Sequence, residues 1–429
     1  MPPGEAGCLR APGTPGAAGG GRRAASRLAV GSATAVFAAK SRAIRWSRLV
    51  TGADGKRVLT TLVGSLPRPD AVVDVVRKQD DGEVTDAAAA DAIMRESVAE
   101  VVARQVAVGI DMVSDGEMSK ISYATYMRHR LTGFELGDAP RAVPADLDAF
   151  PDYRDRIASR GETPVYRRPI CRGPIAVRDL GPVRADIRHL AEATQTQPVK
   201  AAFLTAASPG VIAVFQPNEY YSTQREYLYG VAEAMKVEYD EIAASDLILQ
   251  VDCPDLAMGR HIRYRDESEE AFLEHAAEQV EVLNHALADV PAERVRMHVC
   301  WGNYEGPHTS DIDLRKILPI VLQAKPSMIA FEAANPRHAH EWEAWLGVKL
   351  PSEKVLIPGV IDTCTNYVEH PELVAQRVRR FVEIAGPERV IAGTDCGFGT
   401  FAGFGRVHPD ICWAKLQSLV QGAALAFPE

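Results

Sequence analysis

A chain of 429 residues, 46% hydrophobic and 24% charged, has a globular composition and enough length for one α/β barrel or two ordinary domains. Its net charge of −9, with no basic stripe, argues against a nucleic-acid partner, and no apolar run reaches the roughly 18 residues of a membrane span. The seven cysteines are odd in number, scattered, and without a C-x-x-C pair, which points to a reducing compartment, taken as the cytoplasm, with thiols left for a metal or for chemistry.

Residues 1–57 are rich in Ala, Gly, Pro, Ser and Arg, with Glu5 and Asp54 as their acids. Such a stretch buries too little to fold alone and reads as a disordered extension. An organelle transit peptide shares this Arg- and Ser-rich, acid-poor composition. A secretory signal over 28–39 would be short, diluted by Gly, Ser and Thr, and far from the start. The rest, 58–429, is expected to form a single domain.

From residue 58 strand and helix patterns alternate. Strands are expected at 58–63, 110–113, 199–204, 247–251, 295–299, 328–331, 355–357 and 390–392. Helical spacing marks 91–108, 183–194, 219–244, 268–288 with Ser268 as N-cap, 314–324, 340–346, 371–385 and 410–426. Residues 119–178 break the rhythm and read as an insertion with a hairpin after the second strand. Strands separated by helices pair in parallel, and eight such units predict a closed (β/α)8 TIM barrel. A doubly wound open sheet is the alternative.

In such a barrel the chemistry sits at the C-terminal strand ends. Polar residues gather there: Ser65, Glu117, Asp252, His298, Cys300, Glu332, Asp362, Cys364 and Cys396. His298 and Cys300 are two apart in Met297-His298-Val299-Cys300-Trp301-Gly302-Asn303, so on a strand they face the same way. With Glu332 and Cys396 they would give N, S, O and S donors, a set that favours zinc over magnesium or calcium. A coordinated thiol loses its proton outright, so this site would make a substrate thiol nucleophilic towards an alkyl group. Each residue also has a plain reading: a lone cysteine is most often a small buried apolar group, as for Cys171 and Cys412. Glu332 could pair with Arg337, and His338 and His340 are expected in solvent.

Ser65, with Arg68 nearby, could lie in a loop that holds a substrate carboxylate, or be a turn serine. Glu117 and Asp252 could bind an amine, or close a salt bridge in the barrel mouth. Trp301 and Asn303, just beyond Cys300, join the residues expected to face a substrate. Gly397-Phe398-Gly399-Thr400-Phe401-Ala402 fits G-x-G-x-x-A loosely. A dinucleotide site needs a further strand and a later acid, and one helix remains, so this is read as a loop over the barrel mouth.

Together these segments resemble the C-terminal catalytic barrel of the cobalamin-independent methionine synthase family, and more closely its single-barrel relatives. The resemblance is carried by Thr60-Thr61-Leu62-Val63-Gly64-Ser65-Leu66-Pro67, Asp115-Gly116-Glu117, Val251-Asp252-Cys253-Pro254, His298-Val299-Cys300, Phe331-Glu332, Pro358-Gly359-Val360-Ile361-Asp362 and Asp395-Cys396-Gly397. It implies zinc on His298, Cys300, Glu332 and Cys396, and amino-acid contacts from Ser65, Glu117 and Asp252. It also implies methyl transfer from methyl-folate to homocysteine. Three departures stand out. The family's N-terminal barrel is absent. The proton-donating His that follows the family's Val-x-Asp, here Asp362, is Cys364. Asp-Glu-Pro has become Asp252-Cys253-Pro254.

The expected function is therefore zinc-dependent methylation of a thiol, homocysteine in the family's manner, by methyl-folate, a methylated corrinoid or its protein, or a small molecule. The single-barrel relatives also include epoxyalkane:coenzyme M transferase-like enzymes, so thiol addition to an epoxide is the rival expectation. A zinc-binding barrel without chemistry is the third.

Overall fold

The computed structural model describes residues 57–83, 85–137, 143–160 and 168–426. Apart from Arg57, the extension expected over 1–57 lies outside the described residues. The chain enters the main sheet through β1 (Leu59–Thr60) and β2 (Met112–Ser114). A hairpin of β3 (Phe134–Leu136) and β4 (Pro169–Cys171) follows, paired antiparallel. Six more strands complete the sheet: β5 (Ala201–Ala207), β6 (Ile248–Asp252), β7 (Val295–Val299), β8 (Met328–Phe331), β9 (Val355–Ile361) and β10 (Ile391–Thr394).

The hydrogen-bonded order is β1-β10-β9-β8-β7-β6-β5-β2, all parallel. A parallel bridge between Thr61 and Met112 joins the two ends. The ring is closed, which decides for the (β/α)8 barrel over the open sheet. All eight expected strands are present, and the hairpin lies in the expected insertion. The strands are buried almost end to end, because helices cover the outside while side chains fill the middle; this is why they read as apolar runs rather than alternations.

Arg296 is a large cation in the barrel interior. The Arg296 guanidinium donates to Thr61 Oγ1 and the Leu62 carbonyl, each at 2.9 Å, and lies 4.0 Å from the centre of the Phe203 ring. Gln250 donates to the Val63 carbonyl at 2.6 Å. These bonds tie the segment after β1 across the barrel to β6 and β7, which sets where Ser65 sits.

The outer helices end where the sequence supplies caps. Asp86 accepts from the backbone of Ala88 and Ala89 at the start of Ala87–Val108, and Gly109, at φ 95°, closes it. Thr223 and Glu226 form a reciprocal capping box on Gln224–Ala244. Ser268 accepts from Ala271 N at 3.1 Å and begins Glu269–Ala286. Ser268→Ala should cost about 1 kcal/mol, read as a small fall in melting temperature; an unchanged melting temperature would show that the cap contributes nothing. Helices Asp70–Asp81 and Pro209–Phe215 were not expected from the sequence. The latter is apolar throughout and buried on all sides, so it has no amphipathic stripe to reveal it.

Candidate active site

β7 carries His298 on its last turn of pleat, and Cys300 follows just beyond it. Cys396 follows β10, where the pairing with β9 slips between Gly393 and Thr394. Such an irregularity re-aims the chain at a strand end. One ligand atom from each of His298, Cys300 and Cys396 lies within 4.8 Å of the others. All three residues are buried. Burial holds the His298 imidazole down to about 4, so its lone pair is free at neutral pH. A hydrogen bond with Cys300 and then burial push the Cys396 thiol well above its usual range.

Glu332 is not one of that triad. It follows β8, is buried, and accepts from Trp301 N at 2.7 Å and from the Asn335 amide at 2.5 Å. Arg337 is not among these partners. The loop beyond Glu332 is held by Asp395, whose carboxylate accepts from Ala333 N, Ala334 N and Asn335 N at 2.9, 2.8 and 2.7 Å. The Asp395 carbonyl oxygen lies 3.1 Å from His298 Nε2. One residue thus orients both the imidazole and the carboxylate. Sequence reading missed it, although it sits beside Cys396 in Thr394-Asp395-Cys396.

The floor of the adjoining cavity is acidic. Glu117 Oε1 accepts from Thr205 Oγ1 at 3.1 Å, while Oε2 is buried with no hydrogen-bond partner. Arg68 Nη2 is 4.0 Å from Oε2, and the Lys120 ammonium donates to Thr205 Oγ1 at 2.6 Å. Glu117 also stands at φ 56°, a left-handed conformation that costs a bulky residue energy and clusters at functional sites. Asp252 accepts from Gln250 at 2.7 Å and is 3.8 Å from His298 Nδ1. Burial and then the Glu117 charge raise the Asp252 carboxyl to about 8. Two carboxyl groups thus face one cavity.

Ser65 lines the same cavity. A Cβ on Gly397 would come within 2.0 Å of Ser65 Oγ, so only glycine lets the two loops approach. Arg68 has a different place: its guanidinium donates to the carbonyls of Glu117 and Gly399 and is almost wholly covered. It clamps the loops rather than lining the cavity. Trp301 likewise points away, donating from its indole to the Ile312 carbonyl at 2.7 Å.

Asn303 bridges two loops. Its amide donates to the Gly397 carbonyl at 2.7 Å, and its oxygen accepts from Thr363 at 3.1 Å and from the Cys364 thiol at 3.0 Å. Burial pushes that thiol well above its usual range, so it keeps its proton. Asp362 accepts from Cys364 N and Thr365 N, both at 3.0 Å, and shapes the turn after β9.

The cavity walls are apolar: Leu147 and Ile157 from the insertion, Tyr123, Phe215, Phe401 and Met258. Tyr123 packs edge-on to Phe215 and to Phe401, with centroids 5.8 and 5.9 Å apart. None of these rings was singled out from the sequence. His338 corrects another expectation. It is buried rather than solvated, between Asp311 and Glu341 at 2.9 and 2.8 Å, while His340 is exposed. Glu341 is three residues on, at the start of a short 3-10 helix, while Asp311 comes from the loop after β7, a partner no local pattern reveals. Cys171 and Cys412 are buried thiols, as expected. No described helix is long and apolar enough to cross a membrane.

Known proteins identify the family. A curated methionine synthase of Sulfolobus acidocaldarius is 27% identical over 375 residues, covering 86% of this chain and 92% of its own. That of Saccharolobus solfataricus is 26% identical over 374 residues, covering 86% and 95%. Among solved structures, a B12-independent methionine synthase from a Shewanella species, in complex with selenomethionine, superposes with a TM-score of 0.64. It is 18% identical and covers 86% of this chain and 97% of its own. A putative B12-independent methionine synthase from Listeria monocytogenes gives a TM-score of 0.60 at 21% identity, with 87% and 99% covered. The family model of the cobalamin-independent synthase catalytic domain matches residues 58–404, and the chain belongs to that family.

Proposed function

We propose that the chain is a zinc-dependent S-methyltransferase that makes methionine from homocysteine. The observation that carries the reading is the meeting of one nitrogen and two sulfur donors beside an acidic floor at the mouth of the barrel. His298, Cys300 and Cys396 would hold the ion, with Glu332 brought in from its bonds to Trp301 and Asn335. Mixed N and S donors with a carboxylate in reach suit zinc. Zinc there would act as a Lewis acid that lets a substrate thiol lose its proton at neutral pH.

The chain's own residues supply position. Glu117 Oε2 and Asp252 would take the substrate ammonium, and Ser65 its carboxylate end. The apolar walls of the cavity would limit water there, which strengthens each of these contacts. Asn303 keeps the Cys364 proton at the rim, 3.0 Å from its own amide oxygen, where a departing methyl carrier could receive it. The family is cobalamin-independent, so the corrinoid donor drops out, and methyl-folate is the donor proposed.

The test is methionine formation by the zinc-loaded protein, with methyl-folate and methylcobalamin assayed side by side. Methionine from methyl-folate is expected. Product from methylcobalamin alone, or none from either, would remove this reading. The apolar walls built by Tyr123, Phe215 and Phe401 favour one second reading, in which the thiol opens an epoxide or attacks another apolar alkyl group.

A further inference from the structure

A second cluster lies outside the cavity, on the same end of the barrel. Its centre is Asp311, whose side chain is 2% exposed. Three imidazoles surround that carboxylate: His308 Nδ1 and His338 Nε2, each 2.9 Å from Oδ2, and His261 Nδ1, 2.8 Å from Oδ1. His308, Asp311 and His338 each offer a ligand atom within 4.8 Å of the others.

With neutral imidazoles, hydrogen-bond accounting leaves this cluster short of positive charge. The other ring nitrogen of His308 lies 2.9 Å from the Tyr304 carbonyl oxygen. That of His338 lies 2.8 Å from Glu341 Oε2. Every partner of these two rings, Asp311 Oδ2 included, only accepts, so a neutral ring with its single N–H satisfies one side and leaves acceptor against acceptor on the other. With both N–H groups on the outer partners, the inner lone pairs face Asp311 Oδ2 from two sides. His261 adds a third difficulty. It is buried, its contact with Asp311 lacks hydrogen-bond geometry, and neither of its ring nitrogens nor Asp311 Oδ1 has a hydrogen-bond partner.

Two extra protons or one divalent cation would settle the cluster. The outer acceptors resemble the carbonyl and carboxylate groups that orient metal-bound histidines and fix their tautomers. With neutral rings, a divalent ion would match the two charges of Asp311 and Glu341. Three imidazoles and a carboxylate are a donor set for borderline transition ions rather than for calcium or magnesium.

We propose that His308, Asp311 and His338, completed by His261, form a second metal site that binds a divalent transition ion such as zinc. The ion would tie together three successive loops. His261 lies on the short helix Gly259–Ile262 after β6, His308 and Asp311 follow β7, and His338 follows β8. It would also brace the sulfur-bearing cluster, because the Trp301 ring lies 4.4 Å from the His338 ring and Trp301 N bonds Glu332. The proposal stands independently of the function argued above.

Cobalt is the probe. The full chain is stripped with a chelator, loaded with Co²⁺ and desalted, and ions per chain and X-ray absorption are measured. The wild type should bind two ions, only one with sulfur neighbours. Cys300→Ser with Cys396→Ser should keep one ion with nitrogen and oxygen neighbours alone. Adding Asp311→Asn should leave none, with circular dichroism to show that the barrel persists. Where that variant fails to fold, the wild-type absorption spectrum still decides. A wild type with a single nitrogen–oxygen ion would sustain this site and remove the sulfur-bearing one. A wild type whose ions all have sulfur neighbours, or a double-cysteine variant that folds and binds none, would overturn the proposal.

Discussion

Cys396→Ser is expected to lower methionine formation by about 10³-fold or more, since a Lewis acid contributes several kcal/mol to the transition state and each 1.4 is tenfold. The same variant should lose the ion of the sulfur-bearing cluster. The protonation states add a sign. Without an ion, the Cys396 thiol holds its proton because Cys300 and burial raise it, while His298 is held unprotonated by burial. Uptake of an ion therefore expels the Cys396 proton, and apparent affinity rises with pH across the neutral range. Because the variant loses that ion, titration with Zn²⁺ in weak buffer should release none of the protons that the sulfur-bearing cluster gives up in the wild type. Equal release, or full turnover by the variant, would take Cys396 out of the site.

Glu117→Gln is expected to separate substrates rather than abolish chemistry. Truncating one member of a buried charge pair costs about 2–4 kcal/mol. The variant should therefore lose roughly 30- to 10³-fold in kcat/KM for homocysteine, chiefly through KM. A thiol of similar length without an amine should react within a few-fold of its wild-type rate. The reason is local: Glu117 Oε2 has no hydrogen-bond partner, and Asp252 faces it as a second carboxyl. Equal losses for both thiols would make Glu117 a structural residue. No loss for homocysteine would remove the ammonium seat and strengthen the epoxide reading.

Much of the barrel was legible because its strands are buried on both faces. Segments such as Val295–Val299 and Met328–Phe331 stand out as short apolar runs between helices with recognisable caps, and Ser268 was identified as one of these. The candidate donors were legible for a related reason. Polar residues at strand ends have few structural uses, and closure brings those ends together whatever their distance in sequence.

What stayed hidden depends on partners from elsewhere. Arg68 reads as a substrate cation, but it is consumed by two backbone carbonyls. His338 reads as solvated, but Asp311 and Glu341 enclose it. Asp395 reads as the neighbour of a cysteine, yet its bonds run to the loop after β8. The apolar cavity wall combines residues of the insertion with Phe401, and no single segment carries its pattern.

The two sulfurs of the first cluster follow β7 and β10, with β8 and β9 between them in the ring. Neither half of the molecule can therefore grip an ion through both. During synthesis, Cys300 must wait for nearly the whole polypeptide to emerge before its sulfur partner exists. Under the proposed zinc site, retention of the sulfur-bound ion would gauge completed assembly: a chain cut before β10 could keep helices and several strands, yet would lack the second thiol.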